Sequence, residues 1–372
     1  MTSLAATPRV DTLARLAGEA GVDAVLVSPG PDLRYLTGYD AQPLERLTCL
    51  VVPVSGEPTL VVPTLERPAA EASPAGGLAI RDVGETVDAY AVVAELLSEG
   101  DAAPHRVAVD NLMWAEKLLA FRRVLPDAEQ ILAGPFITSM RMRKGADEVE
   151  ALRAAGAAID AVHRRMPEWL VPGRTENEVA ADIADAILAA GHVSVDFTIV
   201  GSGPNGASPH HEASDRVIGR GEPVVVDIGG TMPSSYCSDS TRTYVAGGQV
   251  PAEFAELYAV LRSAQETACR AAGPGVTCAA VDEAARAVIR DAGYGPNFIH
   301  RTGHGIGLQT HEDPYIVEGN DLPLEPGMSF SVEPGIYLAG RFGARIEDIV
   351  VCTPDGAERL NLTGRDLVVL PG

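Results

Sequence analysis

The chain has 372 residues, and its 29 Lys and Arg against 51 Asp and Glu give a formal net charge of −22 at pH 7. Apolar residues make up 46% and charged residues 22%, a globular composition that excludes disorder, collagen and coiled coil for the whole chain. This length predicts two domains, or one large domain with an appendage. The excess of carboxylates argues against nucleic acid and anionic lipid as partners, because both are negatively charged.

Helices and strands alternate in the first third of the chain. Apolar residues at helical spacing predict a helix from residue 9 to Gly21, and a second helical pattern covers 86–99. Short apolar runs bounded by Pro and Gly predict strands at 24–28, 48–54, 58–63 and 106–110. This alternation predicts an α/β domain over residues 1–140.

From residue 141 the composition changes, and an internal repeat appears. An Ala-rich segment with charges on one face predicts a long helix over 141–170. Residues 172–191 align without gaps on 274–293, with seven of twenty positions identical. Both copies begin Pro-Gly-x-Thr and end Ala-Gly, and Thr175 has Glu178 at the capping-box position. We therefore expect an α+β domain over 141–372 with two pseudo-symmetric halves.

Cysteine usage and hydropathy predict a cytoplasmic protein. No cysteine belongs to a CxxC pair, and an odd, sparse set is typical of free thiols. The cysteines are Cys49, Cys237, Cys269, Cys278 and Cys352. No window reaches the roughly 18 apolar residues of a membrane helix, and the N-terminal segment lacks the apolar core of a signal peptide. We expect no membrane partner, and we interpret Cys237 as a packing residue.

Two aspartates lie on neighbouring predicted strands. Asp227 ends the run VVVD and Asp239 lies in SDSTRT, with Pro233 midway between them. A hairpin centred on Pro233 would place the two carboxylates directly opposite each other on one sheet face. Opposed like charges are destabilising, so a cation between them resolves the conflict. The alternative is that Asp227 merely ends its strand and Asp239 faces solvent.

Five of the eight histidines fall in two short segments, which favours metal binding or acid–base chemistry over isolated structural roles. They are His210 and His211 in GPNGASPHH, and His300, His304 and His311 in HRTGHGIGLQTHEDP. A nucleotide-binding loop is a weak alternative for GHGIG, because its spacing does not match and no Lys-Ser/Thr follows.

Two glutamates lie in apolar, strand-like segments, where an ionised side chain needs a partner. By alternation, Glu333 in SFSVEPG shares a face with Ser331, and Glu347 in RIEDIVV shares a face with Arg345. Neutralisation of Glu347 by Arg345 is one interpretation, and metal binding is the other.

Four carboxylates and one imidazole together match two divalent cations that share bridging carboxylates. These residues are Asp227, Asp239, His304, Glu333 and Glu347. The ligand set favours Mn²⁺, with Co²⁺, Zn²⁺ and Fe²⁺ as alternatives. Two such ions activate water near neutral pH and polarise a carbonyl, so the pattern predicts hydrolysis.

Five ordered motifs resemble those of the pita-bread metallopeptidases, which include prolidase, aminopeptidase P and methionine aminopeptidase. The motifs are VVVDIGG, YCSDSTRTY, HRTGHGIGLQTHEDP, FSVEPGIY and GARIEDIV. DLRYLTGYD at 32–40 resembles an element of the creatinase-like N-terminal domain of prolidases, so the resemblance spans the chain. It implies an α/β creatinase-like domain followed by an α+β, pseudo-two-fold pita-bread catalytic domain, most similar to short bacterial Xaa-Pro dipeptidases.

The resemblance implies a role for each metal ligand. Asp227 would bind one ion, and Asp239 and Glu347 would bridge both. His304 and Glu333 would complete the shell of the second ion. Glu333 would also transfer a proton during cleavage of the Xaa-Pro bond.

The resemblance also implies the substrate contacts. His210 and His311 would contact a small peptide and stabilise the tetrahedral oxyanion. Arg345 would hold Glu347 or the substrate carboxylate, and Thr241 would support the metal ligands from outside their shell. A homodimer is implied as well.

The chain departs from the family pattern at one place. Asp227 and Asp239 are separated by one residue more than is usual, and Ser235 stands where the motif usually has Gly. We expect the TMPSS turn to absorb the extra residue, because VVVD and SDSTRT are individually intact. A strand shifted by one position would instead turn Asp227 away from the metal.

Three alternatives stay open at this point. One is an aminopeptidase P that acts on longer peptides with proline second. Another is a hydrolase of a non-peptide amide, and the third is a non-catalytic binding protein. Metal-free creatinase-type relatives and non-catalytic relatives have typically lost metal ligands, and all five candidate ligands are present here.

Overall fold

The computed structural model describes residues 6–98 and 103–371. They divide into two compact units, one ending at Arg141 and the other beginning at Met142. Within these residues, no helix combines the length and hydropathy that a membrane span requires.

The first unit is built on a six-stranded mixed sheet. Its strands are β1 (Ala24–Val27), β2 (Cys49–Pro53), β3 (Thr59–Pro63), β4 (Ala79–Val83), β5 (Arg106–Val109) and β6 (Glu129–Leu132). Their order is β4-β3-β2-β1-β5-β6, and only the β1–β2 and β2–β3 pairs are antiparallel. The helices are α1 (Ala6–Glu19), α2 (Pro31–Thr37), α3 (Arg67–Ala72), α4 (Ala89–Ser98), α5 (Ala115–Val124) and α6 (Gly134–Arg141).

The four strands predicted in this unit are confirmed as β1, β2, β3 and β5. The helix expected to end at Gly21 is α1, and Gly21 has the positive φ of 70° that favours glycine after a helix. The helix expected over 86–99 is α4, and position 99 itself lies outside the described residues.

The second unit contains eleven strands and five α-helices among its described residues. The helices are α7 (Ala146–His163), α8 (Met166–Trp169), α9 (Glu176–Ala189), α10 (Ala252–Ala271) and α11 (Cys278–Asp291). The strands are β7 (Ser194–Ser202), β8 (Glu222–Thr231), β9 (Cys237–Ala246), β10 (Gly303–Gly305), β11 (Glu312–Ile316), β12 (Ser329–Val332), β13 (Gly335–Leu338), β14 (Phe342–Arg345), β15 (Asp348–Thr353), β16 (Gly356–Arg359) and β17 (Val368–Leu370). They form sheets of order β17-β9-β8-β7 and β11-β10-β12-β15-β16, and the hairpin β13-β14.

The single long helix expected over 141–170 is wrong in its bounds. Arg143 forms an isolated antiparallel bridge with Met328, so the chain is extended there. Helix α7 begins only after Gly145, whose backbone N–H donates to the Glu148 carboxylate at 2.9 Å. A separate short helix, α8, then follows α7.

The expected pseudo-symmetry of the second unit is confirmed by how the two repeats begin. Thr175 caps α9 and accepts a hydrogen bond from the backbone of Glu178, and Thr277 caps α11 in the same way. Each capping threonine also forms an isolated antiparallel bridge with a downstream segment, Thr175 with Val217 and Thr277 with Pro323. The repeat is therefore structural.

Each half of the second unit buries the apolar face of its sheet beneath its helices. Val226 and Ile228 of β8 belong to one core cluster with α9. Because side chains alternate along a strand, Asp227 between them faces the other side. Phe330 of β12 packs with Leu261 of α10 in the second cluster. The faces turned away from these cores supply the polar residues of the site.

Candidate active site

The β8–β9 hairpin carries the two aspartates on one face, but not directly opposite each other. Asp227 pairs with Thr241, and Asp239 pairs with Gly229. The expected register, with the two aspartates directly paired, is therefore wrong by two residues. The carboxylates are diagonal neighbours, which keeps them on the same face because the side-chain period is two.

The turn of this hairpin explains the difference in register. Thr231 pairs with Cys237, so the turn is centred on Ser234 and not on Pro233. Ser235 adopts a φ of 69°, the only positive φ of a non-glycine residue among those that the structure describes. The extra residue thus lies within the turn, and both strands keep their ladder.

The other three candidate ligands come from the second half of the unit. His304 lies in β10, and Glu333 directly follows β12. The Nε2 atom of His304 is 3.1 Å from Glu333 Oε1 and 3.7 Å from Asp239 Oδ2. The segment around Glu347 was expected to be one strand, but β14 and β15 belong to different sheets and Glu347 lies between them.

Glu347 is shared by two groups of potential ligands. Its carboxylate lies with those of Asp227 and Asp239 in one group, and with His304 and Glu333 in the other; the ligand atoms of each group are within 4.8 Å of one another. The five residues named from the sequence are thus brought together into two overlapping clusters.

The donor atoms of the clusters fit divalent cations. Asp227 Oδ1 and Glu347 Oε1 are buried and have no hydrogen-bond partner among the described residues, which is costly for a carboxylate oxygen unless a cation binds it. His304 Nδ1 is 3.1 Å from the Gly305 carbonyl oxygen, which can only accept. A proton on Nδ1 can be donated to that oxygen, so Nε2, the ring atom that faces Glu333 and Asp239, is the one that would bind a metal.

Burial and mutual repulsion shift the pKa values of these carboxylates. Burial, then the charges of Glu347 and Asp227, hold the pKa of Asp239 well above its usual range. The pKa of Glu347 is raised by burial and by Glu333 and Asp227. Burial alone would raise the pKa of Glu333, but the hydrogen bond and the charge of His304 outweigh burial and lower this pKa to about 2. Two cations would remove the repulsion that raises the first two values.

Arg345 pairs with Asp227 and not with Glu347, which corrects one of the two expected contacts. Its Nη2 atom is 2.5 Å from Asp227 Oδ2, and its Nε donates to Thr241 Oγ1 at 3.2 Å. Thr241 in turn donates to Glu347 Oε2 at 2.7 Å. Arg345 therefore reaches Glu347 only through Thr241, which lies outside the ligand shell as expected. Nη1 of Arg345 donates to the Tyr337 hydroxyl at 2.7 Å.

The ligand clusters lie in the wall of a cavity of about 840 Å³. Its other lining residues are Phe197, Ile199, Pro209, His210, His300, Arg301, Gln309, Thr310, His311 and Arg345. The cavity has room for a small peptide and combines apolar, imidazole and cationic groups on its walls.

Four histidines line this cavity, and His211 is not among them. The ring centroid of His311 is 3.8 Å from that of His304. Partial burial and the charge of His304 lower the pKa of His311 to about 4, so its ring is neutral at pH 7. His210 is exposed on the cavity wall, but His211 turns away and contacts the Glu176 carboxylate at 2.8 Å.

His300 and Tyr337, which have no individual role predicted from the sequence, join the hydrogen-bond network of Arg345. The Tyr337 hydroxyl is 2.9 Å from His300 Nε2, and His300 Nδ1 is 2.8 Å from the Arg301 carbonyl oxygen. The available signal was the position of both residues inside the quoted motifs.

The cysteines lie apart from this chemistry. All five are free thiols. Cys237 is buried, and burial raises its pKa to about 11, so the thiol stays protonated. This agrees with a packing role.

Comparison with known proteins identifies the family. A model described as metallopeptidase family M24 matches residues 150–354, and one described as creatinase/prolidase N-terminal domain matches residues 9–143. The probable dipeptidase PepE of Mycobacterium tuberculosis is 50% identical over 365 residues, covering 98% of this chain and 96% of that protein. The Xaa-Pro dipeptidase of Lactobacillus delbrueckii subsp. lactis is 38% identical over 366 residues, covering 97% and 99%.

A solved structure agrees over the whole chain. The crystal structure of dipeptidase PepE from Mycobacterium ulcerans matches with a TM-score of 0.94 and 50% identity, and covers 100% of both chains. The expected combination of a creatinase-like domain and a pita-bread domain is confirmed. The chain belongs to metallopeptidase family M24.

Proposed function

We propose that this chain is a metal-dependent dipeptidase that cleaves the Xaa-Pro bond. The observation that carries the proposal is the pair of buried ligand clusters that share Glu347 in the wall of a cavity sized for a small peptide. The name of the Lactobacillus relative supports proline specificity, and the name of the mycobacterial relative supports a dipeptide substrate.

Two divalent cations fit the clusters, and we propose Mn²⁺ because four of the five ligands are carboxylates. Asp227, Asp239 and Glu347 would hold one ion, and His304, Glu333 and Glu347 would hold the other. When bound, such a pair lowers the pKa of water and polarises the scissile carbonyl.

Three side chains would stabilise the oxyanion and transfer the proton during cleavage: His210, His311 and Glu333. The rings of His210 and His311 face the cavity and would stabilise the oxyanion that develops on the carbonyl. Glu333 is held at Oε1 by Ser331, which donates from 3.0 Å. We assign to Glu333 the proton transfer to the prolyl nitrogen, a leaving group that has no N–H of its own.

The substrate carboxylate needs a cation that Arg345 does not supply, because Arg345 is engaged by Asp227. Arg301 also lines the cavity, with its guanidinium carbon 4.3 Å from the centre of the Tyr315 ring. Its Nη2 atom is 3.4 Å from His311 Nδ1. We propose that Arg301 and His311 bind the carboxylate of a dipeptide, which would disfavour longer peptides.

Two further assignments belong to this proposal. Free thiols at all five cysteines support a reducing, cytoplasmic environment. A homodimer is proposed from the family resemblance alone.

The test is hydrolysis by chelator-stripped protein with and without added Mn²⁺. The substrates are Leu-Pro, Leu-prolinamide, Leu-Pro-Gly-Gly and Leu-Gly, and Asp239→Asn is the metal-site control. We expect Mn²⁺-restored cleavage of Leu-Pro and weak activity on the other three. Preference for Leu-Pro-Gly-Gly would identify an aminopeptidase P, and equal cleavage of Leu-Gly would remove proline specificity. Full activity of Asp239→Asn would overturn the metal-site assignment.

A further inference from the structure

A buried glutamate at the start of α9 collects hydrogen bonds from a neighbouring loop. Glu176 is fully buried and is the first residue of the helix. Its Oε1 accepts from the Ser202 backbone N–H at 2.7 Å and from the Ser202 hydroxyl at 2.6 Å. Its Oε2 accepts from the His211 ring at 2.8 Å and from the Ser214 hydroxyl at 2.7 Å. Asn205 Nδ2 donates to both oxygens, at 3.1 and 3.0 Å.

These donors lie on both sides of His210 in the chain. Ser202 and Asn205 precede it, and His211 and Ser214 follow it. Ser202 is the last residue of β7, and between it and Ser214 the only regular element is a short 3-10 turn over Gly203–Ala207. The backbone hydrogen bonds inside this segment are local, from Ser208 N–H to the Asn205 carbonyl oxygen and from His211 N–H to the Ser208 carbonyl oxygen. Side-chain hydrogen bonds therefore contribute to attaching the loop to α9, and one carboxylate supplies acceptors on both flanks.

The carboxylate is ionised in this setting. Burial acts against ionisation, but the hydrogen bonds from Ser202, Ser214 and His211 outweigh it and hold the pKa of Glu176 below its usual range. Hydrogen bonds to a charged acceptor are stronger than those between neutral groups. The loop is thus attached by charge-assisted bonds.

The second half of the unit shows that the helix itself does not need this residue. In the repeat alignment, Cys278 occupies the position of Glu176, and α11 forms with the same threonine cap. A buried carboxylate is destabilising unless its partners compensate. The glutamate is present only in the half whose following loop carries His210.

We propose that Glu176 is a positioning residue. By accepting hydrogen bonds from residues on both sides of His210 in the chain, it holds the His210 side chain in place at the cavity. The inference rests on the proposed function, because the contact of His210 with the substrate is itself part of that proposal. Arg345 contributes from the other side, since its Nη2 is 3.3 Å from the Pro209 carbonyl oxygen. The loop that carries His210 thus contacts a buried anion on both flanks and a buried cation at Pro209.

The test is a double-mutant cycle on Leu-Pro hydrolysis with Glu176→Gln and His210→Ala. Glutamine keeps the size of the side chain but replaces one acceptor oxygen with a donor and removes the charge. We expect Glu176→Gln to lower kcat/KM on the order of tenfold or more. In the His210→Ala background, the same change should lower it by less than about twofold. Equal losses in both backgrounds would show a general structural role and overturn the inference.

The matched control is Glu178→Gln, in the same helical turn. The Glu178 carboxylate accepts from the Thr175 backbone N–H at 2.8 Å, and among the described residues it forms no hydrogen bond with the loop that carries His210. Glutamine can still cap, so we expect unchanged kcat/KM. If Glu176→Gln does not fold, Ser214→Ala is the substitute variant, because it removes only the hydroxyl that donates to Glu176 Oε2. It should show a smaller loss with the same dependence on His210.

A second measurement separates this inference from the proposed function. The histidine ring signals of the chelator-stripped protein are recorded by NMR after ¹³C labelling, with His210 assigned from His210→Ala. Glu176→Gln or Ser214→Ala should shift or broaden the His210 signal, and Glu178→Gln should not. An unchanged signal would overturn the inference whatever the activity. A shifted signal in a protein that does not cleave Leu-Pro would support the positioning and reject the proposed function.

Discussion

The guanidinium of Arg345 binds one oxygen of Asp227 and leaves the other free. Nη2 is 2.5 Å from Oδ2, while Oδ1 is buried and has no hydrogen-bond partner in the part of the chain that the structure describes. Arg345 thus orients the carboxylate with one oxygen available for a cation. Arg345 is itself held by Thr241 and Tyr337, so its position is determined from several sides.

We expect Arg345→Lys to weaken metal binding about 10- to 100-fold, because lysine offers a point charge in place of a planar fork. The dissociation constant for Mn²⁺ would be measured by competition with a chromogenic chelator. Arg341→Lys is the control, since Arg341 pairs with Glu253 on the surface. Unchanged metal affinity in Arg345→Lys would show that Asp227 needs no orienting partner.

The crowding of carboxylates predicts opposite effects of Asp239→Asn with and without metal. Burial and the charges of Glu347 and Asp227 raise the pKa of Asp239, so the metal-free site is strained by repulsion. The substitution should raise the melting temperature in chelator. It should also abolish the stabilisation that excess Mn²⁺ gives the wild type, which is about 2.7 kcal/mol in the free energy of unfolding for one site at 100 times its Kd. A lower melting temperature in chelator would contradict this account of the site.

Ser235 predicts a stabilising substitution outside the chemistry. Its φ of 69° lies in the left-handed region, which costs an L-residue other than Gly roughly 1–2 kcal/mol. The greater freedom of glycine in the unfolded chain offsets about 0.4–1 kcal/mol of that gain. Ser235→Gly should therefore raise the free energy of unfolding by about 0.5 kcal/mol or more, measured in guanidinium. Ser234→Gly, without a positive φ, should lower it, and kcat should be unchanged in both.

Local sequence patterns predict where helices and strands begin better than they predict how the strands pair. The capped starts of α9 and α11 follow from a few adjacent residues, and they were predicted from Pro-Gly-x-Thr alone. The pairing of Asp227 with Thr241 depends on where the turn is centred. One residue more or less in a turn changes the register without leaving a signal in the strands.

Contacts between residues far apart in the chain could not be predicted from local sequence patterns. The Arg345–Asp227 pair joins residues separated by 118 positions, on strands of different sheets. Alternation along RIEDIVV suggested Glu347 as the partner of Arg345, but alternation applies only within a continuous strand, and β14 ends at Arg345. The role of Glu176 likewise leaves no local signal, because its hydrogen-bond partners lie 26 to 38 positions downstream.

A buried ion pair predicts a strongly non-additive effect on stability. Lys144 Nζ is 2.7 Å from Glu312 Oε1, and the two side chains are only 2% and 7% exposed. Glu312→Gln removes the carboxylate that pairs with the buried Lys144 ammonium, and Lys144→Met removes the cation that pairs with the Glu312 carboxylate. Each change alone should lower the free energy of unfolding by about 3–5 kcal/mol. The double variant should cost less than the sum, because it removes both charges of the pair together. Arg143→Met, which breaks a surface pair with Glu325, should cost less than about 1 kcal/mol in the same denaturant titration.

A buried neutral histidine predicts how stability falls in mild acid. His163 lies with Nδ1 2.9 Å from the Tyr244 hydroxyl and Nε2 3.2 Å from the Ser240 carbonyl oxygen. Burial, then the charge of Arg242, lowers its pKa to about 3. Below about pH 6.5 His163 is protonated in the unfolded chain but stays neutral in the folded protein. It therefore lowers the free energy of unfolding as the pH falls.

His163→Gln removes that proton uptake. In chelator-stripped protein, the free energy of unfolding of the wild type should fall from pH 6.5 to 5 more steeply than that of the variant. The difference in slope should approach about 1.4 kcal/mol per pH unit. Above about pH 7 the two curves should run parallel, whatever constant offset the lost hydrogen bonds introduce. Parallel curves through pH 5 would mean that His163 takes up its proton in the folded state.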